Sequence, residues 1–498
     1  MAVSRRQFIA GASAYGFLQT TLSTVRVKAE GATPRIRENI QQFSKDDAKV
    51  AALRLAVGSM KERSAKTKHD PLGWHYWSAV HGTKEDIPPD LDKIYNQCVH
   101  SDSEHVEDQF LSWHRAFLYY FEATLKRAAK QAGASVEIEL PYWNWYSDPV
   151  FPEIFTENSE ENPLWHPGRV TEDLTGSGLH RRMFTYNDML SDTVSAFSVG
   201  LEYNPHGAVH DIVGGDMGDI DKAAKDPIFW LHHANIDRLW TAWMKGGSRT
   251  IPSLDSPWAN TSWQFDEAGE LRQTAGAMLD STKPPLDYQY DDETMPMVEI
   301  LVATGPQPTA KIIEGKPSSI NINELKNLQG FKVSATQSAS ISSTNAIKLG
   351  NETVTVDLKL PNQEATQIHN WAAGATSDIK SASLVLKDIE VAPGMGGFSF
   401  SILVSLPHEP KASPVVVGQL GSFSLSVARH KQGDKGGKQT LIFPLSEILP
   451  AWGNVSPEAL ESGLRVTFEP VHPPKAGLAA PDLIEIGAVT LDISTSRK

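Results

Sequence analysis

The apolar positions in the first half of the chain fall at helical spacing. Val50, Leu53, Val57 and Met60 share a face of a segment running from Asp46 to Lys66. Trp74 to His81 repeats the pattern and stops at Gly82, a C-terminal signal. From Gln109 to Gln131, Phe110, Trp113, Phe117, Phe121 and Leu125 form one stripe, with Gly133 closing it. A fourth helix is predicted over Asp226–Trp243, where Asp226 suits the N-cap and Pro227 the first helical position. On it Phe229, His233, Asp237 and Trp240 lie along one face. Between these segments, Pro141–Trp145 reads PYWNW, an aromatic stretch expected beneath the helices, and residues 146–200 are punctuated by prolines.

After about residue 250 the periodicity shortens. Ser262–Phe265, Phe331–Ala335 and Thr353–Leu360 alternate or run β-branched, as strands do. Pro361 to Lys380 is polar and reads as a linker. Residues 381–498 then carry Ser383–Leu386, Gly397–Leu406, Gly421–Ala428, Gln439–Phe443, Leu464–Phe468 and Ile484–Asp492 as candidate strands of a sandwich or jelly-roll-like domain. The organisation expected is a leader over 1–29, a mainly helical catalytic domain over 30–360 with a β-rich extension after 250, a linker over 361–380 and a β-domain over 381–498.

With 498 residues, the chain can bury two or three cores. A formal charge of −14 excludes the basic footprint that nucleic acid requires. The only cysteine, Cys98, rules out an intramolecular disulfide. At the N-terminus, Ser4-Arg5-Arg6-Gln7-Phe8-Ile9 resembles a twin-arginine export signal, with Val27-Lys28-Ala29 as a cleavage site. The apolar run Phe8–Leu18 is 11 residues long, against the roughly 20 needed for a membrane helix. A periplasmic or secreted protein is expected, without a stable membrane span.

Histidine is where the chemistry concentrates. Sixteen are present, and those from His69 to His233 cluster around the predicted helices. His206 and His210, in NPHGAVHDIVGG, are four apart and share a helical face. His105 and His114 place one imidazole just before a helix and one inside it. Imidazoles without a matching carboxylate pattern disfavour calcium, magnesium and carboxylate-bridged di-iron, and suit copper, zinc or nickel. Two sets of three would suit a copper pair that handles dioxygen. Of the adjacent His232 and His233, only one can face a given site, and Asp237 is placed to accept from the second ring nitrogen of His233.

FLSWHRAFLYYFE and DPIFWLHHANIDRLW resemble the two copper-binding signatures of the tyrosinase, catechol oxidase and haemocyanin family. The resemblance covers roughly residues 70–250 and implies a four-helix-bundle dicopper core. It assigns His81, His105 and His114 to copper A, and His206, His210 and His233 to copper B. Cys98-Val99-His100 resembles the Cys-x-His pair in which some members join cysteine to a copper ligand by a thioether, so His100 stands as the alternative to His105. The segments SPWANTSWQFDEAGELRQTAG, LDYQYDD, SLVLKDIEV and IGAVTLDI resemble plant polyphenol oxidases beyond the copper core, whose C-terminal domain covers the site in latent forms. The implied activity is oxidation of o-diphenols to o-quinones by dioxygen. Glu202 would be the base or water holder, and Phe229 would flank the entrance and stack on the substrate ring. Gly207 stands where good monophenol hydroxylases have asparagine, which points to diphenols. An o-aminophenol oxidase and a haemocyanin-like oxygen-binding protein are the alternatives.

Overall fold

The computed structural model describes residues 34–100, 109–157, 161–175, 193–247, 249–296 and, with breaks, parts of 299–495. The leader, His105 and the strand expected at Phe331–Ala335 lie outside the described residues. The helical half follows its apolar pattern closely. Helix α1 is Asp47–Lys66, with the Asp46 carboxylate accepting from the backbone N–H groups of Ala48 and Lys49 and with Val50, Leu53, Val57 and Met60 buried. Helices α2 (Trp74–His81) and α3 (Phe110–Gln131) also lie where the spacing puts them. After α4 (Val194–Leu201) the chain makes a wide π turn over Glu202–His206 containing Pro205, then continues as α5 (Gly207–Val213). Proline has no N–H to donate within a helix, and a π turn is one way to absorb that defect.

Helix α6 spans Pro227–Lys245 and is buried on every side from Pro227 to Trp243, as expected for a helix through the middle of a core. Its cap is reinforced. Asp226 accepts from the Ile228 N–H at 3.0 Å while Arg169 grips both carboxylate oxygens at 2.7 and 2.8 Å. An N-terminal strand β1 (Arg35–Arg37) pairs in parallel with β2 (Tyr288–Tyr290), closing the helical part from behind. Among the described residues no helix is long and apolar enough to cross a membrane.

The C-terminal part consists of two antiparallel sheets. One has the order β9 (Gln439–Pro444), β6 (Ile379–Val391), β11 (Ile484–Thr495), β3 (Ser338–Ser343), with β4 (Ile347–Leu349) also pairing β11. The other runs β8 (Val415–Gly421), β7 (Ser399–Ser405), β10 (Leu464–His472), β5 (Val354–Leu358). Leu384 and Leu386 of the first and Ile402, Val404, Val466 and Phe468 of the second meet in a single apolar core.

Three expectations are corrected here. The β-part starts near residue 338 and not at 381, because β3, β4 and β5 are strands of its sheets. The stretch expected as a linker contains helix α7 (Asn362–Ala372), whose Ala365 and Ile368 are buried in that same core. The strand expected at Gly421–Ala428 is instead helix α8 (Ser422–Lys431). Phe423, Leu425 and Val427 alternate with polar residues and so imitate a strand. As a helix the segment sends Phe423 into the helical core and Leu425 into the β core.

Candidate metal centre

Two groups of imidazoles converge inside the helical part. His206 and His210, from the π turn and α5, meet His232 and His233 of α6, with one ring nitrogen of each within 4.8 Å of the others. His81, from the end of α2, and His114 of α3 converge with His233 in the same way. The groups abut through His114 and His233, whose rings stack at 4.4 Å and 12°.

What makes these rings competent ligands is how their outer nitrogens are held. Nδ1 of His81 donates to the Ile220 carbonyl at 3.1 Å, that of His114 to Phe110 at 2.8 Å, that of His206 to Glu202 at 3.1 Å and that of His210 to Met217 at 2.8 Å. A carbonyl can only accept, so each ring carries its proton on Nδ1 and presents a bare Nε2. Burial, followed by the neighbouring imidazoles, drives His206, His210, His232 and His233 well below the ordinary histidine range. Burial likewise takes His114 down to about 3. The rings are therefore neutral at physiological pH, which is the ligating form.

The inward atoms fit a metal. Nε2 of His206 is buried with no hydrogen-bond partner among the described residues, and Nε2 of His210 and of His233 lie 3.3 Å apart. Two nitrogens each about 2.0 Å from one tetrahedral ion are separated by roughly that distance. Phe229 is fully buried, wedged between His81 at 4.7 Å and His233 at 4.2 Å. It thus lies against a ring of each group, inside the core.

Asp237 does not take the role expected for it. Its carboxylate accepts from Tyr288 at 2.6 Å, Tyr290 at 2.5 Å, Arg37 at 3.2 Å and the Arg115 guanidinium. Nδ1 of His233 is left with no hydrogen-bond partner among the described residues. These donors outcompete an imidazole because two are cationic and all reach the buried carboxylate. Burial pushes the Cys98 thiol well up, as do Glu202 and Asp221, and its Sγ lies 3.7 Å from His114 Nε2. His100 turns its Nδ1 to Glu202 Oε1 at 2.7 Å and belongs to neither convergent group.

Four residues that sequence reasoning did not place at the centre now stand beside it. The Phe423 ring lies flat on His210 at 4.0 Å and 9°, edge-on to His206 at 5.4 Å. Asp211, next to His210, accepts from the Phe423 N–H at 2.7 Å and from Ser422 Oγ at 3.4 Å, capping α8 from across the domain boundary. Ser426 Oγ accepts from the Ile220 N–H at 3.1 Å. Trp145 reaches His232 from the PYWNW segment. Only that aromatic run and the position of Asp211 beside a ligand offered a local hint.

Buried, neutral imidazoles, four of them with the outer nitrogen tied to a carbonyl, form two groups that could hold borderline transition-metal ions. Comparisons with known proteins find the same kind of centre in one family. The common central domain of tyrosinase matches residues 71–180 and 170–246. A tyrosinase of Hahella sp. (strain CCB-MM4) is 26% identical over 339 residues, covering 58% of this chain and 70% of that protein. The latent form of a chloroplastic polyphenol oxidase of Prunus armeniaca is 28% identical over 276 residues, covering 46% of this chain and 42% of its own length. The chain thus spans less than half of that plant relative. A recombinantly expressed latent aurone synthase (polyphenol oxidase), co-crystallised with hexatungstotellurate(VI), shares the fold with a TM-score of 0.50 and 18% identity, over 94% of this chain and 91% of that one. Residues 71–246 thus match the central domain of tyrosinase, and the chain is similar to tyrosinases and polyphenol oxidases.

Proposed function

We propose that this protein is a polyphenol oxidase that converts o-diphenols to o-quinones with dioxygen, and that its C-terminal part keeps it latent. The observation that carries the reading is the convergence of imidazoles whose Nδ1 atoms are pinned to backbone carbonyls. Within a core of four helices, α2, α3, α5 and α6, His81, His114 and His105 would hold copper A, and His206, His210 and His233 copper B. When bound, a copper pair carries two electrons from each diphenol to dioxygen, so that two diphenols and one dioxygen yield two quinones and two waters. The chain itself supplies the surroundings. Glu202 is buried and accepts a hydrogen bond from His100, which holds the carboxylate in place as the base for the phenolic proton. Gly207 adds no side chain near Glu202, which favours diphenols over monophenols.

Latency is supported by Phe423, which sits where a substrate ring would lie on His210. Export by the twin-arginine route is supported by the Ser4–Ile9 motif. Copper per chain, measured together with catechol and o-aminophenol turnover after proteolytic activation, tests the whole reading. Two coppers with catechol turnover are expected. Zinc alone would sink the proposal, as would reversible dioxygen uptake without turnover, which would mark a carrier.

A further inference from the structure

The centre contains one imidazole more than copper B requires. His232 lies in the same four-histidine group as His206, His210 and His233, is fully buried and stacks on His206 at 5.2 Å and 16°. A metal site with four imidazoles is closed, whereas a catalytic site keeps a coordination position open for substrate. Something must therefore keep His232 from ligating.

The indole of Trp145 meets that requirement. Its Nε1 lies 3.0 Å from His232 Nδ1. An indole N–H can donate and cannot accept, so His232 Nδ1 is the acceptor and its lone pair is engaged. The doubly protonated ring is excluded by the same contact, because its Nδ1–H would face another donor. The single proton of the neutral ring therefore sits on Nε2, and neither nitrogen has a lone pair left for a metal. This holds whichever edge of the ring faces the centre. The contrast with His206 and His210 is direct, since theirs are rings whose Nδ1 donates to a carbonyl and whose Nε2 is bare. Trp145 is itself held firmly. It is fully buried, and two residues before it the Trp143 N–H donates to the Leu231 carbonyl at 3.1 Å, fixing the aromatic segment alongside residue 232.

We propose that Trp145 is a positioning residue that locks His232 in the Nε2–H tautomer, so that copper B receives three imidazoles and keeps its fourth position open. The inference rests on the copper reading above, which the copper content of the unaltered protein tests on its own.

The experiment compares the unaltered full chain with Trp145→Phe, His232→Phe and the double variant, all activated by the same proteolysis. His232→Phe should retain two coppers per chain; loss of one would make His232 a ligand and overturn the proposal. Trp145→Phe should also keep both coppers while turnover falls by about tenfold or more, a typical effect of disturbing a residue behind a metal ligand. Its copper should leave to a chelator several-fold more slowly, and the visible bands of its cobalt(II) form should weaken as coordination number rises. Adding His232→Phe to Trp145→Phe should restore turnover, release rate and cobalt spectrum. A double variant no better than Trp145→Phe would show that the indole only packs, and would overturn the proposal. A further measurement needs no tryptophan variant. In the unaltered protein labelled with [15N]histidine, with the His232 signal assigned by its loss in His232→Phe, the ring must appear as the Nε2–H tautomer. An Nδ1–H signal refutes the lock.

Discussion

The Phe423 ring offers the sharpest test of latency. It is 3% exposed, lies flat on His210 and leads the helix whose N-terminus Asp211 caps. Undocking α8 would return that ring to water, at about 2–3 kcal/mol for a buried aromatic side chain. Phe423→Ala removes most of this from the docked state only. Each 1.4 kcal/mol is tenfold in an equilibrium, so the open fraction should rise about 30- to 150-fold, up to the ceiling set by the fully cleaved protein. The assay is the initial rate of catechol oxidation by intact protein, divided by the rate of the same preparation after cleavage. A cleavage sequence placed within residues 313–337, ahead of the first strand of the β-part, separates the two parts without cutting α7. Phe423→Ala should raise this ratio towards one while leaving the rate of the cleaved form unchanged. An unaltered ratio in a folded, copper-loaded variant would mean that the ring does not block the site.

Three further outcomes follow from the same contacts. A Cβ at residue 421 would lie 2.0 Å from Asp211 Oδ2 and 2.1 Å from its Cγ, so Gly421→Ala should break the cap on α8 and raise intact activity, with no effect once the protein is cleaved. In cleaved protein, Gly207→Asn should raise the ratio of monophenol to diphenol turnover, because a Cβ at residue 207 would lie 3.4 Å from the Glu202 carbonyl; an unchanged ratio would count against Gly207 as a determinant. Asp237→Asn should cost about 3–5 kcal/mol of stability, since it leaves the buried Arg37 and Arg115 charges undercompensated, and a denaturant midpoint within error of the parent would refute this. Burial alone would raise the Asp237 carboxyl, but Arg115 and Arg37 hold it below its ordinary value. Its contribution is therefore present above about pH 4 and is lost as pH falls through the depressed folded value, so acid unfolding of the parent should become shallower in Asp237→Asn.

Local chemistry made much of the helical half legible. The caps at Asp46 and Asp226, the apolar stripes of α1 and α3 and the four-residue spacing of His206 and His210 all act within one or two turns, so they can be read along the chain. The bare Nε2 atoms were partly legible for the same reason, since the His114 and His206 rings bond carbonyls four residues back on their own helices. Contacts between distant residues were beyond that reading. Which of two adjacent histidines keeps a lone pair depends on an indole 87 residues away. The carboxylate predicted to support His233 is instead drawn to Arg37 and to tyrosines some fifty residues further on, because charge and burial outweigh proximity along a helix. The segment 421–428 alternates like a strand, yet it folds as a helix because Asp211 satisfies its first N–H groups and two separate cores take its two apolar faces. Sequence alone determined the helices and singled out His81, His114, His206, His210 and His233 as imidazoles that come together. Tertiary structure decided the tautomers, the partners of the buried charges and the ring that lies on His210.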